Sequence, residues 1–211
     1  MKDVSAILLA AGQSRRMGAF KPLLPFGEQT VIESCVNYLL EGGVETVVVV
    51  VGHRADNVRR RLRDYSVQFA VNPDPTSEMD ASIAAGVLAL PDTVRATIIS
   101  PVDYPAIPST VVSELIVEWQ NGALLVKPTL DGVGGHPVLV DLKFRNQLLS
   151  LDPEHGLKGL FDKYKDQVRR LEVKSPFIAR DIDTWDDYRN LCAEIFGQPR
   201  LEPDENNSNE S

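Results

Sequence analysis

Apolar residues fall along this chain in two kinds of pattern. Ile7–Ala11 and Val47–Val51 are short, continuous and rich in β-branched residues, which is how central parallel strands read when both sheet faces are covered. Between them, Val31, Ile32, Cys35, Val36, Leu39 and Leu40 recur at helical spacing and stop at Gly42-Gly43. That predicts a crossover helix over Thr30–Leu40 feeding a strand over Glu45–Val51. The alternation continues with a polar helix near Ala55–Asp64, a strand near Val67–Val71, a helix near Ser82–Leu90 and a strand near Ala96–Ser100. Repeated β-α units of this kind predict an α/β fold with a doubly wound, mostly parallel sheet flanked by helices.

The second half is less regular. A helix over Ser109–Trp119 is followed by a strand-like Ala123–Pro128, a Gly-rich stretch leading into Pro137–Val140, a strand-like Val168–Val173 and a last helix near Thr184–Phe196. From Gln198 onward apolar content disappears, and Glu202–Ser211 is polar and acidic. Residues 1–197 are therefore expected to form one domain and 198–211 a disordered tail.

Composition agrees with a globular chain: 211 residues, 43% hydrophobic and 25% charged, which excludes collagen-like, low-complexity and wholly disordered readings. The formal charge of −8 and a pI near 4.9 argue against nucleic acid or an anionic membrane as the main partner. An anionic ligand must then be held by a local basic cluster. Cys35 and Cys192, each inside an apolar helical pattern, are expected to be buried thiols in a reducing compartment. With a first strand starting almost at Met1 and no apolar run approaching the roughly 20 residues of a membrane span, a cytoplasmic location is expected.

In an open parallel sheet, ligands bind outside the carboxyl ends of the strands, so the loops after the strands are where chemistry is sought. The first contains Ala10, Ala11, Gly12, Ser14, Arg15, Arg16, Gly18 and Lys21. Glycine permits a sharp turn and close backbone approach, successive free N–H groups make a concave anion site, and Arg16 and Lys21 bring positive charge to a polyphosphate. Neither the Gly-Lys-Ser/Thr of a P-loop nor G-x-G-x-x-G is present. The plain alternative is a Gly-rich βα turn with solvated arginines.

The whole run Leu9-Ala10-Ala11-Gly12-Gln13-Ser14-Arg15-Arg16-Met17-Gly18, with Lys21 and Leu23-Leu24-Pro25 behind it in order, resembles the signature of the nucleotidyltransferase superfamily. Within it, the chain is most similar to the molybdenum cofactor cytidylyltransferases and guanylyltransferases, over most of residues 4–196. The resemblance implies a Rossmann-like fold of the nucleotide-diphospho-sugar transferase type. It also implies an NTP substrate, molybdopterin as acceptor, Mg²⁺ (or Mn²⁺) as cofactor, and a molybdoenzyme or its chaperone as a further partner.

Four further segments fit that frame. Asp103, in Ser100-Pro101-Val102-Asp103-Tyr104-Pro105, follows a strand and faces the same crevice as the first loop. Its hard oxygen suits Mg²⁺ bridging phosphates, and the segment resembles the family's Asp-x-Pro metal motif; a turn or cap role is the alternative. Asn72 and Ser82 correspond to residues that hold base and ribose in relatives, although Ser82 is equally placed as a plain helix N-cap, and Glu78 stands where the family often has Gly. Gly135 and His136, in Gly132-Val133-Gly134-Gly135-His136-Pro137, resemble the Gly-His-Pro segment of the cytidylyl branch. There glycine gives a ligand room and His136 can donate to a phosphate or the pterin, against a structural role for a lone histidine. Arg180-Asp181-Ile182-Asp183-Thr184 resembles the family's closing motif, in which Asp181 or Asp183 supplies a second carboxylate to the metal. Thr184 is an expected N-cap, with Asp186 and Asp187 favourable in the first helical turn. His53, His155 and the basic run Arg59–Arg63 are expected to have ordinary surface or loop roles.

Taken together, the expectation is transfer of a nucleoside monophosphate from an NTP to a phosphorylated acceptor, with Arg16, Lys21 and Asp103 carrying the chemistry. Ala10-Ala11-Gly12 follows the cytidylyl branch, where the guanylyl branch carries Ala-Gly-Gly, and so favours CTP. The alternatives are a sugar-phosphate nucleotidylyltransferase, or a non-catalytic nucleotide- or cofactor-binding chaperone of molybdoenzyme maturation; the chaperone would keep the first loop but need neither Lys21 nor Asp103.

Overall fold

The computed structural model describes residues 3–14, 16–52, 54–72, 74 and 79–197. Arg15, His53, Glu78 and the 198–211 segment lie outside the described residues. The chain opens with β1 (Val4–Ala10), then a small hairpin of β2 (Pro25–Phe26) and β3 (Gln29–Thr30), α1 (Val31–Glu41), β4 (Thr46–Val51), α2 (Ala55–Arg61), β5 (Val67–Val71), α3 (Met79–Ala89), β6 (Ala96–Pro101) and α4 (Ser109–Gln120). Next come β7 (Leu125–Leu130), β8 (Val133–Gly134), β9 (Val138–Asp141), α5 (Arg145–Leu149), α6 (Gly156–Lys163), β10 (Val168–Glu172) and α7 (Trp185–Phe196).

The main sheet runs β10-β7-β9-β6-β1-β4-β5, with β8 attached to β7. As expected from its apolar runs, β1 is buried along its whole length and pairs in parallel with β4 on one side and β6 on the other. The departures from the parallel pattern are β9, which is antiparallel to both β6 and β7, and the short β8, antiparallel to β7. The stretch 131–137 is too short for the dozen or more residues of a parallel crossover, so the chain reverses through β8 and returns between its neighbours.

Alternation along the strands divides the core between the two faces. Ala6, Leu8, Val49 and Ile98 pack towards Ile32, Leu39, Leu115 and Tyr188, whereas Ile7, Val48, Val50 and Ile99 pack towards Ile83, Val87, Leu148 and Phe161. Cys35 and Cys192 are free and buried in the first of these layers, as their patterns suggest.

Both predicted helix starts on that side are capped. Thr30 N–H donates to Glu33 Oε2 at 2.8 Å ahead of α1, and ahead of α7 Asp187 N–H donates to Thr184 Oγ1 at 3.2 Å while Thr184 N–H donates back to Asp187 Oδ2 at 2.8 Å. Ser82, by contrast, is not an N-cap: α3 begins at Met79, with Asp80 in its first turn, which places Ser82 inside the helix. No helix among the described residues is long and apolar enough to cross a membrane.

Candidate functional site

A cleft of about 670 Å³ opens where β1 and β6 end, lined by the first loop, Asn72, Ser82, Asp103 and Asp183. This is the crevice where neighbours of β1 lead off in opposite directions, the expected ligand position in such a sheet. The first loop is built for a tight path. Ser14, at φ +52°, takes the Lys21 N–H on its Oγ at 3.2 Å, and Gly18 turns at φ +65°, a conformation that suits glycine. A side chain at Gly12 would project into open space, so the backbone there is accessible from the cleft.

Ala11, Gly12, Ser14, Arg16 and Lys21 line the cleft. The Ala10 side chain does not; it is buried beneath the loop in the core, because the last residue of β1 still obeys the strand's alternation. Asn72 and Ser82 line the cleft and are joined to each other, Asn72 Nδ2 donating to Ser82 Oγ at 2.9 Å, while Asn72 Oδ1 accepts from the Asp74 N–H at 3.1 Å.

Opposite the first loop, Asp103, Asp181 and Asp183 offer carboxylate oxygens that all lie within 4.8 Å of one another. Two distant segments make this cluster. Asp103 follows β6, the two others follow the turn Pro176–Ala179, and Ile182 N–H donates to Asp103 C=O at 3.0 Å to lock the segments together. Burial pushes the Asp103 carboxyl up to about 6, with the neighbouring Asp181 and Asp183 adding to the rise and Lys21 opposing it. Its Oδ1 is buried with no hydrogen-bond partner among the described residues.

Asp183 is held the other way. Its carboxylate accepts from Lys21 Nζ at 2.6 Å and from Arg16, and these bonds, led by that from Lys21, keep it below the usual carboxylate range. Lys21 is only 10% exposed at its side chain, so its charge is directed into the cleft. An all-oxygen donor set with one orphaned buried oxygen fits a hard divalent cation such as Mg²⁺ or Mn²⁺. The structure thus brings together Asp103 and both closing-motif aspartates, where sequence reasoning left open which of the two joined it.

Several supports of this cluster were not read from the sequence. Ser34 Oγ donates to Pro105 C=O at 2.7 Å, Cys35 Sγ–H to Val102 C=O at 3.4 Å, and Tyr38 OH meets Ser100 Oγ at 2.6 Å. One face of α1 therefore fixes the loop carrying Asp103. Trp185 Nε1 donates to Met17 C=O at 3.0 Å and Tyr188 OH to Pro25 C=O at 2.5 Å, tying α7 to the first loop and the hairpin.

A second pocket of about 470 Å³ adjoins the cleft, with Met79 lining both. It contains Tyr104, Lys127, Gly135 and His136, and the start of α6 forms one wall. The Tyr104 and His136 rings lie 4.8 Å apart. Burial, with the Lys127 charge adding to it, lowers His136 to about 4, so the ring is neutral at physiological pH; its Nδ1 is enclosed without a hydrogen-bond partner among the described residues.

Gly135 is needed for a reason other than ligand approach. A Cβ there would stand 2.3 Å from Ile178 C=O, the same oxygen that accepts the His136 N–H at 2.7 Å, so this glycine lets two backbone segments touch. Of the residues expected on the surface, His155 pairs with Asp152 at 3.1 Å but also lines this pocket, and Arg61 pairs with Glu33 at 2.6 Å. Arg15 lies outside the described residues.

Comparison with known proteins agrees with this geometry. The chain is 32% identical over 189 residues to nicotine blue oxidoreductase of Paenarthrobacter nicotinovorans, covering 86% of this chain and 92% of that one. It is 26% identical over 192 residues to the molybdenum cofactor cytidylyltransferase of Escherichia coli strain K12, covering 89% and 95%. The crystal structure of Rv0371c from Mycobacterium tuberculosis H37Rv superposes with a TM-score of 0.81 at 23% identity, covering 90% of this chain and 98% of that one. The manganese complex of that protein superposes at 0.74 and 21% identity, with coverage of 90% and 98%. The profile of the MobA-like NTP transferase domain matches residues 6–168, and the chain belongs to that family.

Proposed function

We propose that this protein transfers the cytidylyl group of CTP to the terminal phosphate of molybdopterin, releasing pyrophosphate. The observation that carries the reading is the meeting of two opposed charge sets in one cleft: Lys21 and Arg16 on the first loop, and Asp103, Asp181 and Asp183 across from them. In this account the acceptor phosphate oxygen forms a bond to the α-phosphorus of CTP. The bond from that phosphorus to the bridging oxygen breaks, and the electron pair leaves with pyrophosphate.

No protein nucleophile is required, so catalysis rests on positioning and charge neutralisation. Lys21 and Arg16 exchange Asp183 for phosphate oxygens and stabilise the charge that grows on the α-phosphate and the leaving group. Gly12 and Ser14 present backbone to the triphosphate, and Asn72 and Ser82 border the base and ribose. Asp103, with Asp181 and Asp183, would hold Mg²⁺ or Mn²⁺, which supplies charge neutralisation between the two anions. Ala11 lines the cleft, where its methyl would leave less room for a base than the glycine of the guanylyl branch, and the cytidylyltransferase relative supports a pyrimidine. Gly135 and His136 border the acceptor in the adjoining pocket.

The test is a thermal-shift titration with CTP, GTP, ATP and UTP, each with and without Mg²⁺, followed by pyrophosphate release in the presence of molybdopterin. A metal-dependent shift largest for CTP is expected; a ligand at 100 times its dissociation constant adds roughly 2.7 kcal/mol. Preference for GTP moves the reading to guanylyl transfer. Nucleotide-dependent pyrophosphate release with a sugar phosphate but not with molybdopterin replaces the acceptor. Nucleotide binding without release under any condition turns the reading to a non-catalytic carrier of nucleotide or cofactor. A second reading follows from the relative of 32% identity, which is named an oxidoreductase: a redox activity of the purified protein, with no response to any NTP, would favour it.

A further inference from the structure

Lys127 lies in β7, between buried Val126 and Pro128, and lines the second pocket. Its side chain lies across Gly134 of the neighbouring β8: an ideal Cβ at Gly134 would stand 2.2 Å from Lys127 Cε and 2.7 Å from Nζ. The glycine thus makes a channel for the lysine. Lys127 makes no ion pair or hydrogen bond among the described residues, although the carboxylates Asp80 and Glu154 line the same pocket. Lys127 is half-buried as a residue, and the neutral His136 beside it supplies no balancing charge, so its ammonium is open to an anion that enters the pocket. The pocket adjoins the aspartate cluster, since Tyr104 follows Asp103 directly and Met79 borders both cavities.

We propose that Lys127, steered by Gly134, is the residue that receives the phosphate of the acceptor, and that the second pocket selects phosphate monoesters over their uncharged parents. The inference rests on the nucleotidyl-transfer reading for its purpose, but its physical content is an anion site that exists without nucleotide. His136 lends a neutral ring against Tyr104, a flat wall for the body of the acceptor. The two side chains share one space, and the Lys127 charge adds to the burial that keeps His136 neutral.

The chain has three histidines, so the His136 ring signal can be assigned in an NMR spectrum by single His→Gln variants. The probes are 6-hydroxymethylpterin and its phosphate monoester, titrated into the full chain without nucleotide. The monoester is expected to shift the His136 ring signal and to bind more tightly than the parent. Lys127→Met should weaken the monoester about tenfold or more, the scale of a lost charge-assisted hydrogen bond, and leave the parent unchanged. Gly134→Ala keeps the charge but moves the ammonium, and should weaken the monoester in the same direction; Gly134 has no positive φ, so the backbone accepts alanine.

CTP binding serves as the control for folding in both variants. Equal monoester affinity in wild type and Lys127→Met overturns the proposal, as does a monoester that binds no better than its parent. A monoester that binds without touching the His136 signal overturns it as well. Failure of CTP to bind the wild-type protein would refute the nucleotidyl-transfer reading instead, leaving the anion-site result to stand or fall alone.

Discussion

Asp103→Asn should make the metal-free protein more stable while removing its metal site. The folded carboxyl titrates near 6 against an ordinary value of 3.8, a rise of about two units, and each unit corresponds to about 1.36 kcal/mol. Keeping Asp103 ionised in the fold therefore costs up to about 3 kcal/mol at neutral pH. The sign follows from proton binding. Between about pH 4 and pH 6 the folded chain retains a proton that the unfolded chain has released, so stability falls as pH rises through that window and stays lower above it. Asparagine has nearly the same shape and no such proton. The expected result in urea unfolding is a variant up to about 3 kcal/mol more stable at pH 7, with the advantage shrinking to nothing below pH 4. For a chain of this length that corresponds to roughly 6–12 °C in melting temperature. Adding Mg²⁺ or Mn²⁺ should stabilise the wild type and leave the variant unmoved. A variant no more stable than wild type at pH 7, or an advantage that persists unchanged at pH 3.5, would refute the argument that burial and carboxylate crowding strain this position.

Three further outcomes test the remaining parts of the site. Lys21→Ala should lower turnover by about two to three orders of magnitude with the near- and far-ultraviolet circular dichroism unchanged; near-normal turnover of the purified variant removes Lys21 from the chemistry. Asp183→Asn releases Lys21 and Arg16 from their shared carboxylate, so calorimetry should find tighter metal-free CTP binding and a weaker response to Mg²⁺, whereas unchanged metal-free affinity would show that Asp183 does not compete with phosphate. Gly135→Ala should destabilise the fold by about 1–3 kcal/mol because its Cβ would meet Ile178 C=O at 2.3 Å; an unchanged urea midpoint would mean that the two segments separate at little cost.

How far the sequence predicts such a site depends on where each signal resides. β1, α1, β4 and β5 could be read because continuous apolar runs and a 3.6-residue period are local properties. The antiparallel β9 could have been inferred from the short 131–137 connection, but strand order is decided by contacts between distant segments. α5 and α6 are hard to read in the sequence because one is five residues long and the other carries Gly156 and Gly159, although Leu157, Leu160 and Phe161 hold helical spacing. Ser82 lies inside α3, which starts three residues earlier at Met79, because a serine before an apolar run has the same local pattern inside a first turn as at a cap.

At the site, Arg16, Lys21 and Asp103 sit on loops that directly follow strands, which a positional rule can find. Asp181 and Asp183 came only through resemblance. Ser34, Tyr38 and Lys127 carry no visible signal: a hydroxyl or lysine in an apolar element reads as ordinary until the partner across the fold is known.

The closing segment ties residues near position 182 to residues near positions 17, 21 and 103. During synthesis at about 5–20 residues per second, the first loop therefore emerges on the order of ten seconds or more before the carboxylates that complete its cleft. The strands β1, β4, β5 and β6 can pair in that interval, giving a nascent chain with the cationic first loop and Asp103 but without Asp181 and Asp183. The same arithmetic applies to protein engineering. An expression boundary drawn at residue 168, where the family match ends, would retain the central sheet and the cationic loop while discarding Asp181, Asp183 and the helix that staples them in place.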